Sequence, residues 1–304
     1  MGSHDGRPTE SVEDVVRGFL ARDLANWIKS DPLARAGDDE GIHQIRVSAR
    51  RLRAEFGVVG PDMRRAPLAR LRDDLRWIGS VLGHQRDLDV LRHTLLHAAP
   101  QPERAASLVH DVERQRDASR LLVRDSLNSR RYRQLLFGLT SALISPPCRR
   151  SATRDASALL PGVRRHVAVL ESLLEANGDD PTDEQLHHVR IAVKRCRYGV
   201  EVTTMILGPD ADQLATSFTT AQSVLGDLHD TVVALAYLDT IPPQFDDHDA
   251  DVPGTRDGLA STRLRLRGEW RAPVDAALAL ARSLDLAPTT GAPSGKSGAH
   301  EGVS

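Results

Sequence analysis

The run His43-Gln-Ile-Arg46-Val-Ser-Ala-Arg50-Arg51-Leu-Arg53 returns 144 residues later as His187-His-Val-Arg190-Ile-Ala-Val-Lys194-Arg195-Cys-Arg197. A second pair follows in the same order, Val81-Leu-Gly83-His-Gln-Arg86-Asp87 and Val224-Leu-Gly226-Asp-Leu-His229-Asp230, offset by 143. Two matches in register identify an internal repeat, and self-similarity at a fixed spacing is a signature of architecture. Read as helix at about 100° per residue, His43, Arg46, Arg50 and Arg53 fall within an arc of about 80°. Ile45, Ala49, Leu52 and Phe56 cluster on roughly the opposite side, as an amphipathic helix requires. The second copy keeps both faces: His187, Arg190, Lys194 and Arg197 against Val189, Val193, Cys196 and Val200. Arg51 and Arg195 lie on the flank.

Outward from these helices the pattern stays helical. Residues 1–10 are polar and predict a disordered start. Apolar residues at helical spacing run from Ser11 to about Ser30, closed by Asp31-Pro32. The motif helix covers about 41–58 and stops at Gly60-Pro61. A long helix spans about 67–98, and a fourth pattern runs from about Glu103 toward Leu143. Ser145-Pro146-Pro147 then breaks the chain. The second half repeats this order over about 156–176, from Pro181-Thr182-Asp183-Glu184 to Leu207, 211–239 and 256–284. The boundaries predict a first unit over 11–145, a second over 150–285, and a Gly/Ser/Pro/Thr-rich disordered tail over 286–304.

Composition agrees with packed helices. Of 304 residues 40% are hydrophobic but only 4% aromatic, so the cores must be built mainly from Leu, Val, Ala and Ile. The formal net charge of −2 gives no global sign of nucleic-acid binding, and position must carry any electrostatic argument. Cys148 and Cys196 do not make a disulfide framework. With no apolar run approaching a membrane span and no hydrophobic signal core, the chain reads as cytoplasmic.

Most charged helix faces are merely solvated, and such faces mix signs because like charges at i,i+4 destabilise a helix by about 0.2–0.5 kcal/mol per pair. Neither stripe contains an acid before Glu201, one turn past Arg197. Two one-signed copies therefore favour an anionic partner over a solvated face.

The chain resembles the CHAD family, the conserved histidine α-helical domain, over about residues 11–285. The resemblance rests on the two motif helices together with Leu75-Arg76-Trp77, Leu82-Gly83…Arg86-Asp87-Leu-Asp89-Val90 and Arg197-Tyr198. It implies an all-α fold of two four-helix bundles with long antiparallel helices, related by a pseudo-twofold axis. It further implies a basic central groove that binds inorganic polyphosphate, with association with polyphosphate granules in several members. Carried over, the groove residues are His43, Arg46, Arg50, Arg53, Arg76, Arg86, His187, Arg190, Lys194 and Arg197. Two positions depart from the family pattern: Cys196 stands for the usual leucine, and His229 for a small polar residue.

Other signals are weaker. Gly291-Ala-Pro-Ser-Gly295-Lys296-Ser297 is one residue short of a phosphate-binding loop and lacks the flanking strand and helix. His93 and His97 sit at i,i+4 without the glutamate or third ligand of a zinc site, so no metal site is assigned. Asp87 is expected to fix groove arginines by ion pairing, with Asp230 doing so in the other half. Trp27, Trp77 and Trp270 are spaced like core residues, not like base-stacking platforms. No catalytic residues and no cofactor are assigned. A polyphosphate-processing enzyme would need Mg²⁺ held by carboxylates such as Asp87, Asp89 and Asp230. A nucleic-acid binder would contact phosphates without reading sequence, and nucleic acid is not the expected partner. His43 and His187, with reference pKa values near 6.5, are expected to charge as pH falls and to tighten polyanion binding.

Overall fold

A computed structural model describes residues 10–241 and 252–286. The first nine residues, the acidic loop 244–249 and the tail from Ala287 lie outside the described residues. The helices are α1 (Val12–Arg35), α2 (Asp39–Val58), α3 (Arg65–Ala98), α4 (Pro102–Asn128), α5 (Arg130–Ile144), α6 (Leu160–Asn177), α7 (Asp183–Val202), α8 (Thr204–Leu207), α9 (Pro209–Leu238), α10 (Val252–Glu269) and α11 (Arg271–Ser283). The all-α expectation holds. Among the described residues the extended pairings are two isolated bridges, Ser11 with Asp155 and Met63 with Cys148, which tie the inter-half segment to the first half.

Local chemistry explains the helix starts. Ser11 and Asp14 form a reciprocal capping box on α1, and Thr182 and Gln185 do so on α7. The Asp38 carboxylate accepts the Gly41 N–H at 2.7 Å to open α2. Each side chain satisfies N–H groups that have no partner inside the helix.

Four boundaries differ from the sequence reading. Helix α1 runs through Pro32 to Arg35, because Asp31 holds the last turn together: it pairs with Arg35 at 2.7 Å and accepts the Tyr132 hydroxyl at 2.5 Å. The long fourth pattern divides at Ser129, whose hydroxyl accepts the Tyr132 N–H and caps α5. The final pattern divides at Trp270, since Pro273 cannot donate to the Glu269 carbonyl and its ring crowds it. Helix α7 ends at Val202 instead of Leu207, with Thr203 leading into the single turn of α8. The fourth helix implied for each bundle is thus two helices in both halves.

Apolar faces settle how these helices assemble. In the first half Trp27, Ile42, Ile45, Leu52, Phe56, Leu75, Ile78 and Tyr132 form one core, with the Trp27 indole N–H donating to the Tyr132 hydroxyl at 2.7 Å. The second half has its own core around Val167, Leu170, Val189, Val193, Leu214, Phe218 and Val274. Leu286, assigned to the tail by composition, is buried in this second core. A third cluster joins the halves: Leu88 and Leu95 of α3 and Val109 and Val112 of α4 pack with Ala234 and Leu238 of α9 and Leu259 of α10. At about 1.5 Å per residue, α3 is long enough to serve both the first core and this junction.

Charged groups inside the first half are also tied together. Asp23 and Glu55 are fully buried side by side, held by Arg22, which pairs with Glu55 and with Asp23 at 2.6 Å. Arg51 reaches Asp23 at 3.3 Å and Glu201 of α7 at 3.1 Å, linking the halves. Burial, reinforced by the Asp23 charge, pushes the Glu55 carboxyl up to about 8, so it is mostly protonated at neutral pH.

Gly258 is where α10 crosses the end of α3. A Cβ there would stand 2.5 Å from the Ala98 carbonyl oxygen, a contact the backbone must move to relieve. Gly258→Ala is expected to destabilise by about 1–3 kcal/mol, whereas Gly79→Ala, with open space around it, should stabilise by up to about 1 kcal/mol. Thermal denaturation of both variants checks this; equal melting temperatures would contradict the tight α3–α10 crossing.

Candidate anion-binding groove

Helices α2 and α7 pack against each other across the two halves, with α3 against α2 and α9 against α7. The apolar side of each motif helix is spent on its own core: Ile45, Ala49, Leu52 and Phe56 are fully buried, as are Val189, Val193, Cys196 and Val200. That leaves the basic sides to meet. Arg46, Arg50, Arg190 and Lys194 act electrostatically on one another, bringing together stripes 144 residues apart in sequence.

Direct contacts orient the cluster. Arg46 pairs with Asp87 of α3 at 3.2 Å, as expected for that aspartate. Arg50 donates across the halves to the Tyr198 hydroxyl at 3.3 Å. Gly83 is buried opposite, where a Cβ would lie 3.7 Å from the Arg46 Nε, an ordinary van der Waals distance, so α3 runs close beside the guanidinium. Asp230 of α9 acts on Arg190 and Lys194 through space.

The cost of this arrangement appears in its titrations. Burial first, and then the charges of Arg190, Arg50 and Arg46, push the Lys194 ammonium down to about 7. Burial followed by Arg50 lowers Arg46, and burial followed by Arg50 also lowers Arg190, the latter partly offset by Asp230 and Asp87. His43 is lowered by burial and then by Arg86, and His187 by burial and then by Arg190. In both the Nδ1 is buried with no hydrogen-bond partner among the described residues, as is the Arg190 Nε. Both histidines therefore protonate below their ordinary range, and the first groove residue to titrate on moving down through neutral pH is Lys194.

The ten residues assigned to the groove are not equivalent. His43, Arg46, Arg50 and Arg86 gather on the first-half side, and His187, Arg190 and Lys194 on the other. Arg53 lies further along with Arg76 and Arg72, which depress it after burial does. Arg76 itself is exposed and pairs with Asp73 at 2.7 Å. Arg197 is mostly buried, lies over the Tyr198 ring at 4.4 Å, and sits 3.6 Å from Glu201. Its charge is thus already answered by the acid that ends the stripe.

Sequence reasoning assigned no groove role to Tyr198, Arg72 or His229. Arg72 was findable, one turn before Arg76 on the same helix. His229 is the repeat counterpart of Arg86: its ring lies 4.9 Å from that of His187, as Arg86 neighbours His43. Burial and then the Arg190 charge push His229 down to about 4. The Arg50–Tyr198 bond had no local signal because its partners lie in different halves.

Of the carboxylates considered for a cation, Asp87 and Asp89 are in ion pairs with arginines. Asp89 pairs with Arg116, which also reaches Asp39 at 2.6 Å. His93 and His97 stack at 3.9 Å between ring centroids on an exposed helix face. They line a 740 Å³ cavity between α3, α4, α9 and α10 that opens beside Arg86 and Asp230. Among the described residues, no group of three or more His, Cys, Asp or Glu side chains is placed to hold a metal ion. Trp27 and Trp270 are core residues, whereas Trp77 is half-buried beneath the Arg131 guanidinium at 4.5 Å. No helix among the described residues is long and apolar enough to cross a membrane.

Comparison with known proteins fits this architecture. The CHAD domain model matches residues 18–239. The crystal structure of the CHAD domain from the plant Ricinus communis superposes with a TM-score of 0.71 at 24% identity, covering 88% of this chain and 93% of that one. PptA from Streptomyces chartreusis superposes with a TM-score of 0.60 at 19% identity, covering 91% and 99%. In sequence, the uncharacterized proteins MT2285 and Rv2226 of Mycobacterium tuberculosis are each 27% identical over 237 residues, 74% of this chain. The chain spans under half the length of these curated relatives, of which 45% is covered. The repeated basic helices, their apolar backs and the fold they build place this chain in the CHAD domain family.

Proposed function

We propose that this chain binds inorganic polyphosphate, without catalysing a reaction on it, by laying one polymer along the α2 and α7 stripes. The family is associated with polyphosphate and triphosphate binding. The observation that carries the reading here is the uncompensated charge where the stripes meet, expressed in the depression of Lys194 to about 7. A polyanion relieves that repulsion, and the arginine forks offer paired donors to successive phosphates. Asp87 and Asp89 are committed to Arg46 and Arg116, which favours a binder over a Mg²⁺-dependent enzyme. Attachment to polyphosphate granules follows from the same affinity.

Binding of this kind releases condensed counterions, and nucleic-acid binders with 6–10 phosphate contacts lose about 10³–10⁵ in affinity between 50 and 200 mM salt. The stripes offer a similar number of contacts, so affinity for a long polyphosphate should fall by about a thousandfold or more over that range. A salt titration, with RNA as competitor and free phosphate monitored, separates the readings: tighter RNA binding or steady phosphate release would overturn the proposal.

One polymer on both stripes also predicts what charge reversal does. Arg46→Glu with Arg50→Glu should weaken long-chain binding severely, and Arg190→Glu with Lys194→Glu about equally. If calorimetry instead finds full affinity at half the stoichiometry in each variant, the halves bind independently and the single groove is wrong.

The pH response has a defined sign. Free Lys194 has its pKa near 7, and a bound polyanion favours the ammonium, raising it. Binding therefore takes up a proton above pH 7, and affinity should fall as pH rises from about 7 toward the bound-state pKa, by up to tenfold per pH unit. Lys194→Arg, charged throughout, should flatten this limb. An undiminished slope in that variant would place the titrating group elsewhere.

A further inference from the structure

We infer that Lys194 is a site of covalent acylation by small acyl phosphates drawn into the groove. The inference rests on the groove being an anion site but not on its taking a long polymer.

Such a reaction needs an unprotonated amine, an anion-binding cluster beside it, and cations to receive the departing phosphate. The chain contains three lysines, Lys29, Lys194 and Lys296, and Lys194 is the amine on the stripes, standing where the first copy has Arg50. It is half-buried on α7. The charged and titratable groups acting with it are Arg190 and His187 on its own helix, Arg46 and Arg50 on α2, and His229 and Asp230 on α9. Burial and that excess of cations hold the amine down at about 7, leaving about half of it neutral at pH 7. The surrounding guanidinium groups stay charged and present forked donors suited to a phosphate. Lys29, by contrast, is exposed on α1.

The chemistry balances without a further reactant. The Nζ lone pair attacks the acyl carbon, forming the C–N bond. The C–O bond to phosphate then breaks, its electron pair leaving on the phosphate oxygen, and the amine surrenders a proton to solvent. The products are Nε-acyl-lysine and inorganic phosphate. Acylation permanently removes a charge from the place where the stripes meet, so it should weaken polyanion binding. In the other direction, a polymer in the groove covers Lys194 and favours its unreactive ammonium. The two occupancies oppose each other, as reciprocal coupling requires.

The test uses the purified full chain with acetyl phosphate, read by intact mass and peptide mapping. Lys194 should be acetylated faster than Lys29 or Lys296 by about tenfold or more, because a roughly thousandfold gain in neutral fraction over an ordinary lysine at pH 7 is partly offset by the weaker nucleophilicity of a less basic amine. Inorganic phosphate should slow that reaction by competing for the guanidinium groups. With p-nitrophenyl acetate, a neutral acyl donor, the preference for Lys194 should shrink and phosphate should no longer protect. An equal preference with both donors would overturn recruitment through the phosphate, and no preference with either would overturn the reactive amine. A polyphosphate titration on the same sample keeps the two readings apart. A chain that binds the polymer yet leaves Lys194 no more modified than Lys29 retains the proposed function and loses this inference. A chain acylated at Lys194 that ignores the polymer does the reverse.

Discussion

Everything in this molecule turns on the contact between α2 and α7, where two helices with one-signed polar faces are held together. Isolated in water, each stripe costs little, because solvent and salt screen it. Half-buried against a second stripe, the same charges act through less water and are lowered in pKa. Something else must hold the helices in place. The fully buried apolar backs of both helices are anchored in separate cores, and the halves are clamped at one end by the third cluster. The repulsion is thus sustained by hydrophobic burial some distance away from it.

Acids are distributed so as to neutralise the flanks and leave the middle charged. Arg22 and Arg51 are answered by Asp23 and Glu201, and Arg197 is approached by the same Glu201. Those pairs position α1, α2 and α7 relative to one another. A buried ion pair contributes little net stability once desolvation is counted, but it fixes geometry well because an unpaired member would be costly. Between these pairs, Arg50, Arg190 and Lys194 have no carboxylate in ion-pair contact among the described residues, and Arg46 shares one exposed aspartate. The division is spatial: compensation at the ends, excess in the centre.

The two copies have also diverged in chemistry at matching places. Arg50 of the first stripe corresponds to Lys194 of the second, and Arg86 to His229. In each case the first half carries the permanently charged group and the second a group that titrates. Burial and the neighbouring cations drive Lys194 and His229 toward neutrality. The groove is thereby asymmetric in its response to pH.

Much of this was legible in the sequence. The helical class, the repeat, the apolar and basic faces of α2 and α7 and the caps at Ser11 and Thr182 are properties of one helix or of a few neighbouring residues. Periodicity and local hydrogen bonding determine them, and no distant partner can alter them. Even the break before α11 was written locally, in Pro273. Other features depended on residues far apart in the chain. The continuation of α1 through Pro32 needs Tyr132, the fate of Arg197 and Arg51 needs the path of α7, and the Arg50–Tyr198 bond joins the halves. The sequence by itself determined that two cationic stripes exist and which side chains form them. Only the tertiary structure decided which of those cations are neutralised and which are pressed together, because Coulomb energy depends on separation and on excluded water, and packing alone sets both.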